Sequence, residues 1–363
     1  MRLTLQGVNK IVAGEVHLKD IDLELQSGSR YVVLGRTLAG KTSLLRILAG
    51  LDRPGKGRVL IDDQDVTGVS VRKRQVAMVY QQFINYPSLT VFNNIASPMK
   101  NKGVAKETIT RRVGEVAAML HIDHLLDRLP SELSGGQQQR TAIARALAAD
   151  APLLLLDEPL VNLDYKLREE LREELLGIFA KRESIVVYST TEPSEALMLG
   201  GNIIVMHQGQ VLQTGPTPEV YQNPVNTQVA QVLSDPPINF LTGIVEDDKI
   251  TFRIGIDFPK TGHLADLPPG EYDFGVRAHH FSLKRTMPED VEIISRVVLT
   301  EINGSQTFVH FWYRDRTLVA QEDGVFPRTV GQPISVFVHP SCFFVYSKDG
   351  QLLRSPTGYT PSH

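Results

Sequence analysis

The amino-acid sequence predicts an α/β protein built on a mainly parallel sheet, followed by a smaller all-β domain. Up to about residue 230, short β-rich apolar runs alternate with helical patterns, and this alternation is typical of a parallel sheet covered by helices. Beyond Gly243 the pattern changes to short β-rich runs separated by Gly, Pro and Asp, which is typical of a small barrel or sandwich. We therefore expect an α/β domain at residues 1–235 and a β domain at residues 236–363.

The individual elements follow from apolar runs and helical spacing. Continuous apolar runs, typical of strands buried on both faces, predict strands at residues 31–34, 153–156 and 185–188. The helical patterns that follow these strands cover residues 42–48, 164–181 and 194–199. The segment at about 85–150 is mostly helical in pattern, over residues 106–119 and 137–149, and we expect a helical subdomain there. In the β domain, strands are predicted at residues 292–299, 306–313 and 334–338.

Composition and charge exclude several classes of protein. The chain has 363 residues, of which 42% are hydrophobic and 22% charged, and this balance is that of a globular protein with a large core. The net charge of −3 argues against a nucleic-acid partner. Cys342 is the only cysteine, so no intrachain disulfide can form. No apolar run approaches the ~20 residues of a membrane span, and the N-terminus lacks a signal-peptide core. We expect a soluble chain that reaches a membrane only through partner proteins.

A phosphate-binding loop is predicted between the first apolar strand and the helix that follows it. The segment Gly35–Thr42 reads GRTLAGKT and matches the pattern G-x-x-x-x-G-K-[ST] in the strand-to-helix context that this motif requires. Its glycines let consecutive N–H groups and a helix N-terminus face an anion. Lys41 is expected to reach the β- and γ-phosphates, and Thr42 to offer its hydroxyl to Mg²⁺. The predicted nucleotide-binding residues are Gly35, Arg36, Thr37, Leu38, Ala39, Gly40, Lys41, Thr42 and Ser43.

Two adjacent carboxylates end the apolar run Leu153–Leu156. Asp157 is placed to bind Mg²⁺, and Glu158 to polarise the attacking water as a general base. Taken alone, the pair is equally well explained as a solvated acidic turn. The phosphate-binding loop upstream favours the catalytic explanation over the solvated turn. Together the two motifs predict a P-loop NTPase that uses ATP and Mg²⁺.

The sequence Leu133–Gln137, LSGGQ, opens an alanine-rich helix. Ser134 can cap this helix, and Gly135 and Gly136 expose N–H groups that suit a phosphate. The motif resembles the signature of ABC-transporter ATPases, and the resemblance covers residues 1–235. It implies a head-to-tail pair of ATPase subunits, in which the P-loop of one subunit and the signature of the other, here Ser134 to Gln137, hold one ATP.

The same resemblance implies further roles and partners. Gln81 stands where the family's glutamine contacts Mg²⁺ and the attacking water, and residues 83–91 stand where the family contacts its permease. The implied partners are two transmembrane permease subunits and, indirectly, a solute-binding protein, at the cytoplasmic face of the inner membrane. The β-rich remainder resembles the OB-like regulatory (TOBE) domain of maltose and glycerol-3-phosphate importer ATPases, on Asn239–Leu241 and Gly275–Arg277. A role limited to oligomerisation and solubility is the alternative for this domain.

Three positions depart from the family pattern. Thr191 occupies the slot of a histidine, and its hydroxyl cannot become cationic. Val12 replaces the aromatic residue that stacks on adenine, and we expect it to cover the adenine by apolar contact instead. Val161 replaces a serine near the dimer interface. We infer from these changes a division of labour, in which this chain's own site binds ATP but hydrolyses it poorly, while its signature completes a more standard site on a different ATPase subunit.

This combination resembles the GlpS-type ATPases of glycerol importers, as do residues 37–44 and 160–166. We therefore expect an ATPase subunit of a bacterial carbohydrate or polyol importer, with glycerol as the first candidate for the cargo. A largely non-hydrolysing ATP-binding partner and a homodimeric ATPase of another sugar or glycerol-3-phosphate importer are the alternatives. A soluble ABC ATPase of DNA repair or translation is disfavoured, because neither a second ATPase half nor a long coiled coil is visible.

Overall fold

A computed structural model describes residues 1–161, 163–253 and 255–356 of the chain. The chain divides into two compact units, the first comprising Met1–Thr217 and the second beginning at Pro218. The first unit contains α/β and helical parts, and the second is β-rich apart from two short helices at its start. The fold class predicted from the sequence is confirmed. The boundary at residue 235 and the extent of the helical subdomain remain predictions.

The centre of the first unit is a six-stranded sheet that is parallel except at one edge. Its strand order is β10-β9-β3-β8-β7-β6, and only the β10–β9 pair is antiparallel. Strands β7 and β8 are buried along their whole length, as expected for strands with helices on both faces. The strands are β3 (Arg30–Leu34), β6 (Val76–Val79), β7 (Leu153–Asp157), β8 (Ile185–Thr190), β9 (Asn202–His207) and β10 (Gln210–Pro216).

A second, antiparallel sheet in the first unit was not predicted from the sequence. Its strand order is β2-β1-β4-β5. Its strands are β1 (Arg2–Val12), β2 (Glu15–Gln26), β4 (Lys56–Ile61) and β5 (Gln64–Asp65). Alternate residues of β2, among them Ile21, Leu23 and Leu25, are buried in one apolar core with the helix that follows the predicted phosphate-binding loop. The sheet therefore helps to fix the position of that loop.

Five helices of the first unit begin and end close to the predicted residues, whereas Val91–Asn101 (α2) was not predicted individually. They are α1 (Lys41–Ala49), α2 (Val91–Asn101), α3 (Lys106–Met119), α4 (Gly135–Ala148), α5 (Tyr165–Phe179) and α6 (Pro193–Leu199). Helices α2, α3 and α4 pack on one another. The buried amide of Asn94, on α2, donates hydrogen bonds to the backbone oxygens of Tyr86 and Leu89, so it holds the loop that leads into these helices.

The β-rich unit contains two antiparallel sheets around a large apolar core. The strand orders are β13-β12-β11-β14-β20-β21 and β15-β19-β16-β17-β18. Phe252, Phe274 and Phe343 pack edge to face in this core. The helices are α7 (Thr217–Gln222) and α8 (Thr227–Val232), and the strands are β11 (Asn239–Val245), β12 (Lys249–Phe252), β13 (Ile256–Pro259), β14 (Gly270–Val276), β15 (Phe281–Ser282), β16 (Val291–Ile302), β17 (Gln306–Tyr313), β18 (Arg316–Asp323), β19 (Pro333–Val338), β20 (Phe344–Tyr346) and β21 (Leu352–Arg354).

Within the described part of the chain, no helix is both long enough and apolar enough to cross a membrane.

Candidate functional site

The predicted catalytic motifs meet at one edge of the parallel sheet. Strand β8 lies between β3 and β7, with Leu34 opposite Thr190 and Asp157 opposite Ser189. Since parallel strands end at the same edge, the phosphate-binding loop, the acidic pair and the loop containing Thr191 all leave the sheet there. This edge is the usual position of a ligand site in an open α/β sheet.

The phosphate-binding loop, residues 35–40, is held tightly between β3 and α1. Gly40 has a φ of 99°, and a Cβ on it would lie 2.5 Å from the carbonyl oxygen of His17 on β2. A Cβ on Gly35 would lie 2.6 Å from the carbonyl oxygen of Met206 on β9. Gly40 precedes α1 without any side-chain capping bond, so no capping side chain competes for the first N–H groups of that helix. The loop therefore has the close backbone approach and the open helix start that a phosphate group requires.

Lys41 is buried inside this loop, with 4% of its side chain exposed. Its ammonium group donates to the backbone oxygens of Gly35, at 2.8 Å, and Arg36, at 3.2 Å. It also forms an ion pair of 3.0 Å with Oε1 of Glu158. The structure thus joins the lysine of the first motif directly to the second carboxylate of the acidic pair.

Asp157 is a buried carboxylate held by two hydroxyl groups. Its Oδ1 accepts hydrogen bonds from Oγ of Ser189, at 2.8 Å, and from Oγ1 of Thr42, at 3.2 Å. Burial is the main cause that raises the pKa of Asp157, and the neighbouring charge of Glu158 raises it further. A carboxylate and a hydroxyl at this distance form a suitable pair of oxygen ligands for Mg²⁺.

Ser189 is a functional residue that the sequence analysis missed. In addition to its bond to Asp157, its hydroxyl accepts a hydrogen bond of 3.0 Å from the backbone N–H of Glu158. It is fully buried in β8 and directly opposite Asp157. The signal in the sequence was the position of Ser189 directly after the apolar run at residues 185–188, at the end of a predicted strand.

Glu158 connects the phosphate-binding loop to Gln81. While its Oε1 pairs with Lys41, its Oε2 accepts a hydrogen bond of 3.3 Å from Nε2 of Gln81. The backbone of Glu158 has a φ of 43°, a left-handed conformation that is unusual for glutamate and is often found at functional sites. Lys41, Thr42, Gln81, Asp157 and Glu158 therefore form one continuous group of contacts.

Thr191 lies beside Glu158, and both residues line the same small cavity. The loop around Thr191 is fixed by the buried Glu195 on α6, which accepts a hydrogen bond of 2.7 Å from the hydroxyl of Tyr188 and another from the hydroxyl of Thr190. Burial raises the pKa of Glu195. Glu192, the residue after Thr191, forms an ion pair with Arg168, with Oε1 of Glu192 2.5 Å from Nη1 of Arg168. The position at which the resemblance expects a histidine thus lies next to the candidate general base, Glu158.

The signature residues form a capped helix start. The hydroxyl of Ser134 accepts a hydrogen bond of 3.4 Å from the N–H of Gln137, whose side chain in turn accepts one of 3.0 Å from the N–H of Ser134. Ser134 and Gly135 are exposed, and Gly136 lies against Leu167 of α5. Among the residues with described positions, no hydrogen bond or ion pair joins Ser134–Gln137 to the group around Lys41.

Val12, which is expected to cover the adenine of ATP, is 40% exposed at the end of β1. Ile11, 63% exposed, and Val16 of β2, 54% exposed, pair with each other across the same hairpin. Strand β2 contacts the first turn of α1, where Nδ1 of His17 lies 2.9 Å from Oγ of Ser43. The tip of the β1–β2 hairpin is therefore exposed and apolar, and it extends from β2, the strand that lies against Gly40 of the phosphate-binding loop.

A protein-family model described as "ABC transporter" matches residues 18–161. The chain is 33% identical to the sn-glycerol-3-phosphate import ATP-binding protein UgpC of Yersinia pestis (bv. Antiqua, strain Antiqua) over 357 residues, which are 98% of this chain and 99% of that protein. It is 35% identical to UgpC of Escherichia coli K12, over 88% of this chain and 90% of that protein. It is 34% identical to the uncharacterised ABC transporter ATP-binding protein YurJ of Bacillus subtilis (strain 168), over 89% of this chain and 91% of that protein.

Among solved structures, the chain resembles the ATP-binding cassette MJ0796, described as a dimer in a post-hydrolysis state bound to ADP and Pi. The TM-score is 0.54 and the identity 30%, over 59% of this chain and 98% of the other. It also resembles CbiO1 of Clostridium perfringens, described as part of the ABC transporter complex CbiONQ, with a TM-score of 0.54 and 25% identity over 60% of this chain and 90% of the other. With the joined phosphate-binding loop and acidic pair, these matches lead to one conclusion: the chain belongs to the family of ABC transporter ATP-binding proteins.

Proposed function

We propose that the chain is the ATPase subunit of a bacterial importer of carbohydrates or polyols, with glycerol as its cargo. The observation that carries the proposal is the continuous contact between Lys41, Glu158 and Gln81 beside the Thr42–Asp157 pair. The importer class is supported by relatives named for sn-glycerol-3-phosphate import that match nearly the full length of the chain. Glycerol itself is supported only by the resemblance of residues 37–44 and 160–166 to GlpS-type ATPases.

The chain is an ATP hydrolase of the ABC type, and its ligands are ATP and Mg²⁺. Bound Mg²⁺ neutralises the charge that develops on the phosphates. The residues that would hold it are Asp157 and Thr42, with Gln81 beside them. The donor set fits, because Mg²⁺ usually takes one or two protein carboxylates and completes its shell with phosphate and water. No cluster of three or more His, Cys, Asp or Glu side chains suited to a metal ion occurs in the described ranges.

In the proposed reaction, the oxygen of a water molecule bonds to the γ-phosphorus of ATP, and the bond from that phosphorus to the ADP oxygen breaks. Glu158 accepts the proton that the water loses, and Gln81 orients the water. Lys41 exchanges its ion pair with Glu158 for the phosphate, which leaves that carboxylate available as a base. Hydrolysis of this kind depends mainly on position and charge, so each of these contacts matters for the rate.

A second ATPase subunit supplies the other half of the site in this proposal. The exposed, capped start of α4 at Ser134–Gln137 contacts ATP held by a neighbouring subunit, and the neighbour's equivalent helix contacts ATP at Lys41. ATP-binding subunits of import systems work with transmembrane permease subunits. We propose two such subunits and a solute-binding protein here, and a position at the cytoplasmic face of the membrane. Binding of ATP closes the pair, and hydrolysis reopens it.

A second candidate function, that of an ATP-binding partner that hydrolyses little ATP itself, is favoured by one observation. This observation is the threonine at position 191, beside Glu158. Thr191 lines the cavity that Glu158 also lines, where its hydroxyl offers neither the reach nor the positive charge of an imidazole. In this version the chain is mainly an ATP-binding partner, and its signature serves a more active site on another subunit. A homodimer in a sugar or glycerol-3-phosphate importer is the alternative assembly.

The catalytic role is tested with Glu158→Gln in the purified assembly with its native partners. We expect steady-state ATP turnover and cargo uptake to fall by roughly 100-fold, the effect typical of removing a catalytic proton acceptor, while ATP binding persists. Glu115→Gln, which removes a carboxylate from a surface ion pair on α3, is the matched control and leaves turnover unchanged. If Glu158→Gln altered neither turnover nor uptake, Glu158 would not be the base.

The cargo is tested separately, by uptake into vesicles that contain the native assembly. ATP-dependent accumulation of labelled glycerol, but not of labelled glycerol 3-phosphate, supports the proposal. The reverse preference assigns the chain to the glycerol-3-phosphate alternative, and uptake of neither polyol contradicts both.

A further inference from the structure

A pocket of about 380 Å³ in the β-rich unit plays no part in the proposed function, and its volume is in the range of small-molecule sites. It lies beside the turn that joins β17 to β18. We call it the arginine pocket, and its lining residues are Thr242, Arg253, Tyr313, Arg314, Asp315 and Arg316. The lining side chains therefore bring three positive charges together with one negative charge.

The three arginine side chains of this pocket are accessible to a ligand. The side chain of Arg253 is 49% exposed, and Arg314 and Arg316 are also exposed. Arg253 uses Nη2 for an ion pair with Glu271, which leaves its Nε and Nη1 without an acceptor among the residues described. Nη2 of Arg314 donates to the backbone oxygen of Arg253. The side chain of Arg316 forms no hydrogen bond or ion pair with any part of the chain that the structure describes.

Few carboxylates offset the charges of the arginine pocket. Glu271 is shared between two cations, because Lys348 pairs with its second oxygen at 2.5 Å. Asp315, the acidic residue of the lining, forms no ion pair within the described ranges. Arg314 and Arg316 are therefore two positive charges without a carboxylate partner in those ranges.

The positive charges of all three arginines act on the ring of Tyr313. Burial raises the pKa of Tyr313 to about 12, and the charges of the three arginines oppose that rise. Charges of one sign gathered around one ring repel one another, although solvent reduces the repulsion. An anion bound among the arginines removes it.

Arg314 occupies a position at which arginine is unfavourable for the turn itself. Tyr313 pairs with Arg316 across the hairpin, which leaves a two-residue connection between them. The first of these two residues, Arg314, has a φ of 57°, a left-handed conformation for which glycine or asparagine is the usual choice. The arginine therefore lowers the stability of the turn while it adds a guanidinium to the pocket.

We propose that the arginine pocket binds a small oxyanion with two negative charges, of the phosphate or dicarboxylate class. Each guanidinium presents N–H groups that match the paired oxygens of either class. Two charges suit the pocket because two of its arginines have no carboxylate partner in the part of the chain with described positions. The hydroxyl of Thr242 already donates to Asp273 at 2.8 Å, so the arginines supply the donors. The pocket lies within the β-rich unit, so the proposal is independent of the ATP site and of the cargo.

Isothermal titration calorimetry of the full chain tests the proposal, with inorganic phosphate, succinate and acetate as separate probes. We expect saturable binding of phosphate, succinate or both, and the tighter of the two identifies the class of the ligand. Acetate has a single charge and is expected to bind about tenfold more weakly than the preferred dianion. Arg316→Gln removes a charge that the fold does not use, and we expect about tenfold weaker binding of the dianion with an unchanged melting temperature.

Arg314→Gly separates a binding role from a structural one. Glycine suits the left-handed backbone, so we expect the melting temperature to stay the same or to rise, while the dianion binds about tenfold more weakly. In the controls, Arg296→Gln alters an exposed arginine on β16 outside the pocket and Lys41→Ala alters the phosphate-binding loop, and the pocket binds the dianion as in the wild type. The proposal is overturned if neither dianion binds, if acetate binds as tightly, if Arg314→Gly and Arg316→Gln bind like the wild type, or if Lys41→Ala alone abolishes binding.

Discussion

The side chain of Lys41 is engaged by the chain itself at the position where a phosphate group belongs. Two backbone oxygens and Glu158 surround its ammonium group, and Glu158 in turn holds Gln81. These contacts keep a buried positive charge satisfied. They also link the lysine, the candidate base and the candidate water-orienting residue, so a ligand that recruits Lys41 changes the surroundings of the other two.

Asp157→Asn is expected to stabilise the chain and to impair its function. Burial raises the pKa of Asp157, so its charged form is disfavoured and stability decreases as the pH rises through the folded-state pKa. Asparagine has no charge to bury and retains an oxygen for Ser189 and Thr42. We expect the melting temperature at pH 7.5, without nucleotide, to rise by about 2–4 °C for each kcal/mol gained.

In the same variant, we expect Mg²⁺-dependent ATP turnover to fall by roughly 100-fold, because a metal-binding oxygen loses its charge. Asp127→Asn removes an exposed carboxylate and serves as the control in both assays. A variant that melts no higher than the wild type would show that the buried carboxylate is not destabilising.

Thr191→His is expected to raise ATP turnover by roughly tenfold, because an imidazole beside Glu158 can carry charge to the γ-phosphate. Steady-state ATPase measurements on the native assembly check this result. Met198→His adds a histidine to the exposed side of the neighbouring helix and leaves turnover at the wild-type rate. If Thr191→His left turnover unchanged while Glu158→Gln lowered it, the histidine slot would not be the limiting departure.

Spacing in the sequence was sufficient to predict the residues that meet at the site. Lys41, Thr42, Asp157 and Glu158 follow apolar strands at fixed positions, and parallel strands bring such positions to one edge. Ser189 and Glu195 were missed because their roles depend on which strands are neighbours and on buried hydrogen bonds, and a single sequence displays neither. Roles that rest on a second subunit, such as that of Ser134, remain predictions.

At the scale of elements, the phosphate-binding loop depends on the strands packed against it. Gly40 and Gly35 approach the backbones of β2 and β9, respectively, more closely than any side chain permits. The antiparallel sheet that contains β2 is thus part of the site's support. It was not predicted, because no strand was assigned to its residues, although alternate residues of β2 are buried as in a strand with one solvated face.

Gly40→Ala is expected to destabilise the phosphate-binding loop by more than the conformational cost of placing alanine in a left-handed backbone. The added Cβ would lie 2.5 Å from the carbonyl oxygen of His17, so the loop or β2 must shift. Gly28→Ala is the matched control, since Gly28 has a φ of 75° with no atom near its Cβ position. The control bears only the conformational cost of about 1–2 kcal/mol.

We therefore expect Gly40→Ala to show the lower melting temperature of the two and at least tenfold weaker binding of a fluorescent ATP analogue. Gly28→Ala binds the analogue as the wild type does. Equal binding by the two variants would contradict the close fit of the loop.

At the scale of the whole molecule, the β-rich unit is expected to lose stability in acid. Burial and the neighbouring charges of His279 and Arg277 lower the pKa of His280 from 6.5 to about 3. The unfolded chain therefore binds more protons than the folded chain between those pH values, and the stability of the β-rich unit decreases as the pH falls below 6.5.

The only tryptophan, Trp312, lies in the β-rich unit, so its fluorescence reports the melting of that unit. We expect the melting temperature to fall between pH 7 and pH 5, and to fall less in His280→Asn, which has no imidazole to protonate. The same decrease in both proteins would show that another group causes the acid sensitivity.

The central claim is that ATP is held between the phosphate-binding loop of this chain and the signature helix of a second ATPase subunit. The most direct measurement is the structure of the native assembly, carrying Glu158→Gln and trapped with ATP and Mg²⁺. We predict a nucleotide whose γ-phosphate contacts Lys41 on one side and the neighbour's Ser-Gly-Gly helix start on the other, with Ser134 of this chain on the neighbour's nucleotide. A trapped assembly with nucleotide bound away from the subunit boundary, or contacted by one subunit only, would contradict the account.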